Sequence, residues 1–342
     1  MTARRRGDFV QCLTLAGALI FAAGAVRADD AASFYSNKTL KVVVGLPPGG
    51  GADAYARLVQ RHLPRHLAGA PSIIVQNVPG AGGLKSVVYL DAQPEDGTVL
   101  AIFSSGLLTE ALTSPERVKI DFRSYAWIGN VSEDVRVCYL WHAAGVRNWQ
   151  DFAARKEVVF AASAAGTAGN VDIAVLRELL GIKVRQVDGY SGSADKRLAV
   201  EKGEVDGDCG GWTSMPQDWL RDGKVDVIVR LSPTLLPDMD AKIPFAGELL
   251  KTQRDRDIFN FLMAPEKLGR PFMTSGRVPA EHVTALRQAF GAMAADPAFR
   301  GDAEKLHLTV TPMSGDDVAR DIAALYAAPP DLLARAKTMV GE

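Results

Sequence analysis

Leu40-Lys41-Val42-Val43-Val44-Gly45-Leu46-Pro47-Pro48-Gly49-Gly50-Gly51-Ala52-Asp53-Ala54 decides the fold. The β-branched run at 40–44 suits a buried strand, the glycines make a tight corner, and the amphipathic stretch 54–67 reads as a helix returning over the sheet. The scheme repeats at once, with a strand at 72–76, the corner Pro79-Gly80-Ala81-Gly82-Gly83, a helix at 84–92 and a strand at 99–103. Strands separated by helical patterns imply right-handed βαβ crossovers and a largely parallel sheet.

A second set follows. A strand is expected at 135–141, then a helix capped by Asn148 with Asp151 three residues on. Another strand at 158–162 leads through the loop Ser163-Ala164-Ala165-Gly166-Thr167-Ala168-Gly169 into a helix ending near 180. Strands at 183–187, 205–209 and 225–231 complete the set. The proline-punctuated stretch 233–265 reads as irregular, and the end as helical, with Pro279 in a first turn and Ser314 with Asp317 as a capping pair. The expected architecture is α/β with two lobes and an interdomain cleft, the chain crossing twice between 29–131 plus 266–342 and 132–265. A length of 342 residues agrees with two domains at roughly 150 residues each.

Residues 1–28 stand apart. Arg4, Arg5 and Arg6 precede a small, apolar run from Cys12 to Val26, and Val26-Arg27-Ala28 offers the small residues that cleavage needs, so this reads as a secretory signal peptide. Phe9 lies too far from the arginines for a twin-arginine signal, and Gln11 before Cys12 does not suit a lipoprotein site. The leader carries four arginines against Asp8, so removing its +3 from the chain's net −1 leaves the mature chain near −4. No later stretch approaches a membrane span, so a soluble periplasmic protein is expected. With 47% hydrophobic and 23% charged residues the chain is ordinary globular material, and 39 basic against 40 acidic residues give no global field for nucleic acid.

The two glycine corners carry the chemistry. Gly49-Gly50-Gly51-Ala52-Asp53-Ala54 matches the relaxed dinucleotide pattern G-x-G-x-x-A, but that site also needs an acid at the end of the second strand. No Asp or Glu occurs between Asp53 and Asp91. What survives is a set of free N–H groups at a helix N-terminus, suited to a compact anion such as a carboxylate. The loop 163–169 offers a second such corner in the other lobe. Either corner alone also reads as a plain tight turn; one in each lobe points to a carboxylate in the cleft.

The chain resembles the extracytoplasmic solute receptors of tripartite tricarboxylate transporters, the TctC or Bug family. Pro48-Gly49-Gly50-Gly51 with Asp53 and Ala56-Arg57 resembles the motif P-G-G-x-x-D-x-x-A-R, and Asn77-x-Pro79-Gly80-Ala81-Gly82-Gly83 the second motif. Asp96-Gly97-Thr98 and Asp121-Phe122 match later turns, and Phe160 to Thr167 lies on the loop Y-A-S-S-G-x-G-T. The resemblance implies a venus-flytrap, periplasmic-binding-protein fold without catalytic activity, cofactor or metal. It implies a ligand carboxylate pinched by Pro48, Gly49, Gly50 and Asp53 from one lobe and by Ser163, Ala164, Ala165, Gly166 and Thr167 from the other. It further implies membrane permease subunits as partners, with a monomer as the default. There are departures: Leu46 replaces an aromatic, Ala162 and Ala164 replace a serine and a glycine, and Asn170 replaces a histidine. Tyr190-Ser191-Gly192 stands for Y-K-G, without its lysine, and Gly210 for an aspartate.

Other candidates weigh less. Gly189-Tyr190-Ser191-Gly192-Ser193 misses the hydrolase elbow G-x-S-x-G only at its last position, yet no histidine sits in a motif after the last strands. Ser191 therefore reads as pocket lining, with a periplasmic serine hydrolase as the alternative from another class. A receptor feeding a sensor kinase is the alternative within the binding class. His62 and His66 could share a helix face as metal ligands, but Pro64 between them and the lack of a nearby acid favour a wet helix face. Cys138 and Cys209 could form a disulfide, which export permits, or remain buried thiols. Tyr190 and Trp212 are candidates for the distal pocket, with core packing the alternative. Arg57 is expected to brace the glycine turn or pair with Asp53.

Overall fold

The computed structural model describes residues 33–341, so the expected leader lies outside the described residues. In chain order the elements are β1 (Thr39–Val44), α1 (Gly51–His62), β2 (Ser72–Asn77), α2 (Leu84–Asp91), β3 (Val99–Ile102), α3 (Gly106–Thr113) and β4 (Ala126–Asn130). Next come β5 (Arg136–Trp141), α4 (Trp149–Ala154), β6 (Val158–Ala161), α5 (Ala168–Glu178), β7 (Val184–Val187), α6 (Ser193–Glu201), β8 (Gly207–Gly211), α7 (Gln217–Arg221) and β9 (Val225–Arg230). The chain ends through α8 (Ala246–Leu249), α9 (Gln253–Lys267), β10 (Pro271–Thr274), α10 (Ala280–Ala295), α11 (Pro297–Lys305), β11 (Met313–Ser314), α12 (Gly315–Tyr326) and α13 (Pro330–Val340).

Two sheets form, ordered β11-β4-β10-β3-β1-β2 and β7-β6-β8-β5-β9. Each is mixed. β1 runs parallel to β2 and β3, and β6 parallel to β7 and β8, whereas β10, β11 and β5 pair antiparallel with their neighbours. The parallel sets position the site. Parallel strands end at the same edge, so the turns after β1 and β3 lie together, as do those after β6, β7 and β8.

Local chemistry explains the helix limits. Pro64 cannot continue α1, so the expected helix over 54–67 stops at His62 and Leu63–Arg65 forms a 3-10 turn. His62 and His66 do not line a wet face: His62 is buried against Asp302 of α11 at 3.0 Å, and His66 meets Asp296 at the same distance. The segment 233–265 departs furthest from its irregular reading, because it ends in the fifteen-residue α9. Thr252 caps that helix by accepting from the Asp255 N–H at 3.1 Å, and Pro265 falls in its last turn. Asn148 and Ser314 cap α4 and α12 as expected.

The core is shared between the sheets. One hydrophobic cluster joins Val43 and Phe103 of the first sheet region to Cys138 and Phe160 of the second through Ile258, Phe259 and Leu262 of α9 and Met339 of α13. Cys138 and Cys209 stand directly opposite each other on β5 and β8 and are joined as a disulfide. No described helix is long and apolar enough to cross a membrane.

Candidate functional site

The turns of the two lobes enclose a cavity of about 80 Å³. From the first lobe it is lined by Leu46, Pro47, Gly50, Gly51, Ser104 and Ser105; from the second by Ser163, Thr167, Gly169, Ser191, Ser193 and Lys196, with Asp134, Arg136 and Arg270 at its base. The N-terminal ends of α1, α5 and α6 therefore open onto one small space, where their partial positive charges add.

The lobes touch on both flanks of this space. Ser104 Oγ accepts from the Ala168 N–H at 3.1 Å, and Arg197 donates to the Gly49 carbonyl at 3.3 Å. A Cβ on Gly82 would stand 2.5 Å from the Gly166 carbonyl oxygen, and one on Gly192 would stand 3.1 Å from the Pro47 ring. Only residues without side chains allow such an approach.

Of the residues expected to grip a carboxylate, Gly50, Ser163 and Thr167 line the cavity. Pro48 and Gly49 form the turn before it, Gly49 at φ 81°, and Ala164, Ala165 and Gly166 form the outer part of the second turn. Asp53 points into its own turn. It accepts from Gly49 N–H at 3.1 Å, from Asn77 Nδ2 at 3.0 Å, and from Arg57 through Nε and Nη2, each at 3.0 Å. Burial pushes its carboxyl up, but the bonds from Arg57, Asn77 and Gly49 outweigh that and hold it below the usual range. Arg57 thus braces the turn through Asp53.

Sequence reasoning missed the charges at the base. Arg136 pairs with Asp134 Oδ2 at 3.1 Å and with Asp172, and Arg270 pairs with Asp134 Oδ1 at 2.9 Å. Lys196 Nζ meets Asp208 Oδ1 at 2.5 Å, and Ser105 donates to both oxygens of Glu266 at 2.9 Å. Burial works against the charge on Asp134, yet Arg270 and Arg136 keep its carboxyl low. Burial raises Asp172 and pushes Glu266 up to about 8, against the pull of Arg136. No local motif announces these residues, since they come from distant strands and helices.

No protein-family model matches the chain. It is 32% identical over 102 residues to the UPF0065 protein of the tcbD-tcbE intergenic region of Pseudomonas sp. strain P51, spanning 30% of each chain. It is 30% identical over 129 residues to protein BugT of Bordetella pertussis, 36% of this chain and 39% of BugT. Over these segments the chain is similar to a Bug protein and to a UPF0065 protein. The matched segments span about a third of these relatives' own length. Solved structures extend the likeness in fold: periplasmic binding protein BugD at TM-score 0.73 and 19% identity, covering 89% of this chain and 98% of BugD. A Rhodopseudomonas palustris protein with adipate follows at 0.71 and 17%, covering 88% and 97%, and MatC of that organism with bound malate at 0.69 and 18%, covering 89% and 99%. The fold is that of the two-lobed periplasmic binding proteins.

Neither Tyr190 nor Trp212 lines the cavity. Trp212 is buried and donates to Asp238 at 2.9 Å, and Tyr190 packs on the cluster that holds Trp212 and Trp219. Ser191 does line it, but the lining holds no histidine that could act as its base. Among the described residues no group of three or more His, Cys, Asp or Glu could hold a metal ion.

Proposed function

We propose that this protein is a periplasmic solute-binding protein that captures a small carboxylate-containing anion between its lobes and delivers it to the permease subunits of a tripartite tricarboxylate-type transporter. The carrying observation is the cavity itself, where helix N-termini from both lobes and three cationic side chains converge. An anion bridging the two lobes stabilises the closed arrangement because both supply donors to it. That related folds are named as holding adipate and malate supports a carboxylate here. The reading includes an exported monomer cleaved near residue 28, without catalytic residue or cofactor. Its lobes divide at 29–131 plus 266–342 and 132–265, and its grip comprises the turns Pro48–Gly50 and Ser163–Thr167, the first braced by Asp53.

A thermal-shift panel of mono-, di- and tricarboxylates, amino acids and the amidated form of each tests this. At about 1 mM, a ligand of micromolar affinity stabilises the protein by about 4 kcal/mol. Shifts confined to free acids are expected. Gly50 has ordinary backbone angles, and a Cβ there would face open cavity with Ser193 Oγ 3.9 Å away. Gly50→Val therefore keeps the melting temperature of the free protein and weakens the best acid by about tenfold or more. A folded variant that binds normally would remove the first turn from the grip.

A further inference from the structure

Arg136 is shared between the cavity described above and a second, larger one of about 430 Å³. The second cavity lies where the chain is expected to cross between lobes. Glu133 and Arg136 follow the first crossing, and Glu266 and Lys267 follow the second.

Its walls are mostly hydrocarbon. Leu231 and Pro233 follow β9, Phe245 precedes α8, and Phe259, Met263 and Ala264 share one face of α9. Phe245 and Phe259 meet edge to face, their ring centroids 5.7 Å apart. A concave, mainly apolar space of this size with a few polar groups has the make-up of a small-molecule site.

The polar groups restrict what fits. Ser232 lines the cavity and is 9% exposed; its hydroxyl oxygen accepts from the Thr234 N–H at 3.2 Å. Among the described residues no acceptor takes the proton of that hydroxyl, which can donate as well as accept. An oxygen on the occupant would complete it. A negative charge finds no such welcome. Arg136 is already held by Asp134 and Asp172. Burial, and then the carboxyls of Asp134 and Asp172, keep the proton on Glu266 against the pull of Arg136. A further anion here would be desolvated without a free cation to receive it.

We propose that this hinge cavity is a second binding site, taking a compact neutral molecule with a planar hydrocarbon body and one acceptor oxygen. The body packs on Phe245, Phe259 and Met263, and the oxygen accepts from Ser232. The site stands apart from whatever the space between the lobes holds.

Titration with acetophenone, and with benzoate as its charged counterpart of similar size, tests this in protein with methyl-labelled methionine. The Met263 signal is identified by its loss in Met263→Leu. Acetophenone is expected to shift that signal saturably, with a Kd of about 1 mM or below, and benzoate to need about tenfold more. Ser232→Ala should weaken acetophenone by about fivefold and leave ethylbenzene, which has no oxygen, unchanged. The comparison with benzoate needs no variant. The assignment is overturned by the absence of a saturable Met263 shift with acetophenone up to about 10 mM. An equal response to benzoate, or a Ser232→Ala protein that binds acetophenone as wild type does, overturns it as well.

Discussion

Glu266 is a carboxyl that folding keeps protonated at neutral pH. Burial is the main cause, reinforced by neighbouring Asp134 and Asp172, and together they outweigh Arg136 and the Ser105 hydroxyl. Its ordinary value of 4.5 rises to about 8, so between those limits the folded chain holds a proton that the unfolded chain has released. Stability from this group is therefore complete in acid and is lost as pH climbs toward 8. Asp53 has the opposite sign: its depressed carboxyl contributes stability above the ordinary range, and loses it in acid. Denaturant unfolding at pH 5 and pH 8 separates the two. Glu266→Gln should lose less stability across that interval than wild type, by about 1 kcal/mol or more. An identical loss in both proteins would mean that Glu266 is ionised in the fold.

At the scale of elements, the pairing of β5 with β8 ties stability to the site. The disulfide joins residues 71 positions apart in sequence, and the Cys209 carbonyl accepts from both Lys196 and Arg136. Replacing both cysteines with alanine should cost about 2–4 kcal/mol, read as a lower denaturation midpoint. It should also weaken ligand binding, because the acceptor that orients the two cations is freed to move. Equal midpoints for the variant and wild type would show that the strand pair holds without its bond. Much of this element plan was legible beforehand, and for a local reason: a β-branched run followed by glycines leaves the backbone few alternatives. The corners before α1 and α5 and the caps of α4 and α12 were read from such short patterns. Helix α9 was hidden by prolines that precede it and by Pro265 in its last turn, although Thr252 with Asp255 carried a start signal. The ion cluster was not legible at all. Asp134, Arg136, Asp172, Lys196, Glu266 and Arg270 acquire meaning only when two sheets bring them together, and charged residues at such spacings look like surface. Tyr190 and Trp212 share one hydrophobic cluster outside the cavity lining, an arrangement that sequence does not separate from pocket lining because aromatic side chains pack equally well on one another.

Across the whole molecule, closeness between the lobes depends on positions that lack a side chain. Gly106, the first residue of α3, lies so near the second lobe that a Cβ would meet the Thr167 carbonyl carbon at 2.5 Å. Its backbone angles are ordinary, so Gly106→Ala should leave each lobe intact and prop the cleft apart. The expected result is a larger radius of gyration by small-angle scattering in the presence of ligand. Affinity should fall by about tenfold or more while the free protein melts as before. A variant that compacts on ligand like wild type would show that the second lobe yields at this point. The same contacts have a kinetic meaning. With backbone against backbone on one flank and Gly192 against the Pro47 ring on the other, a molecule captured as proposed leaves when the lobes part. On the proposed function, departure is timed by the hinge, and a strongly held molecule differs from a weak one in how many openings it outlasts.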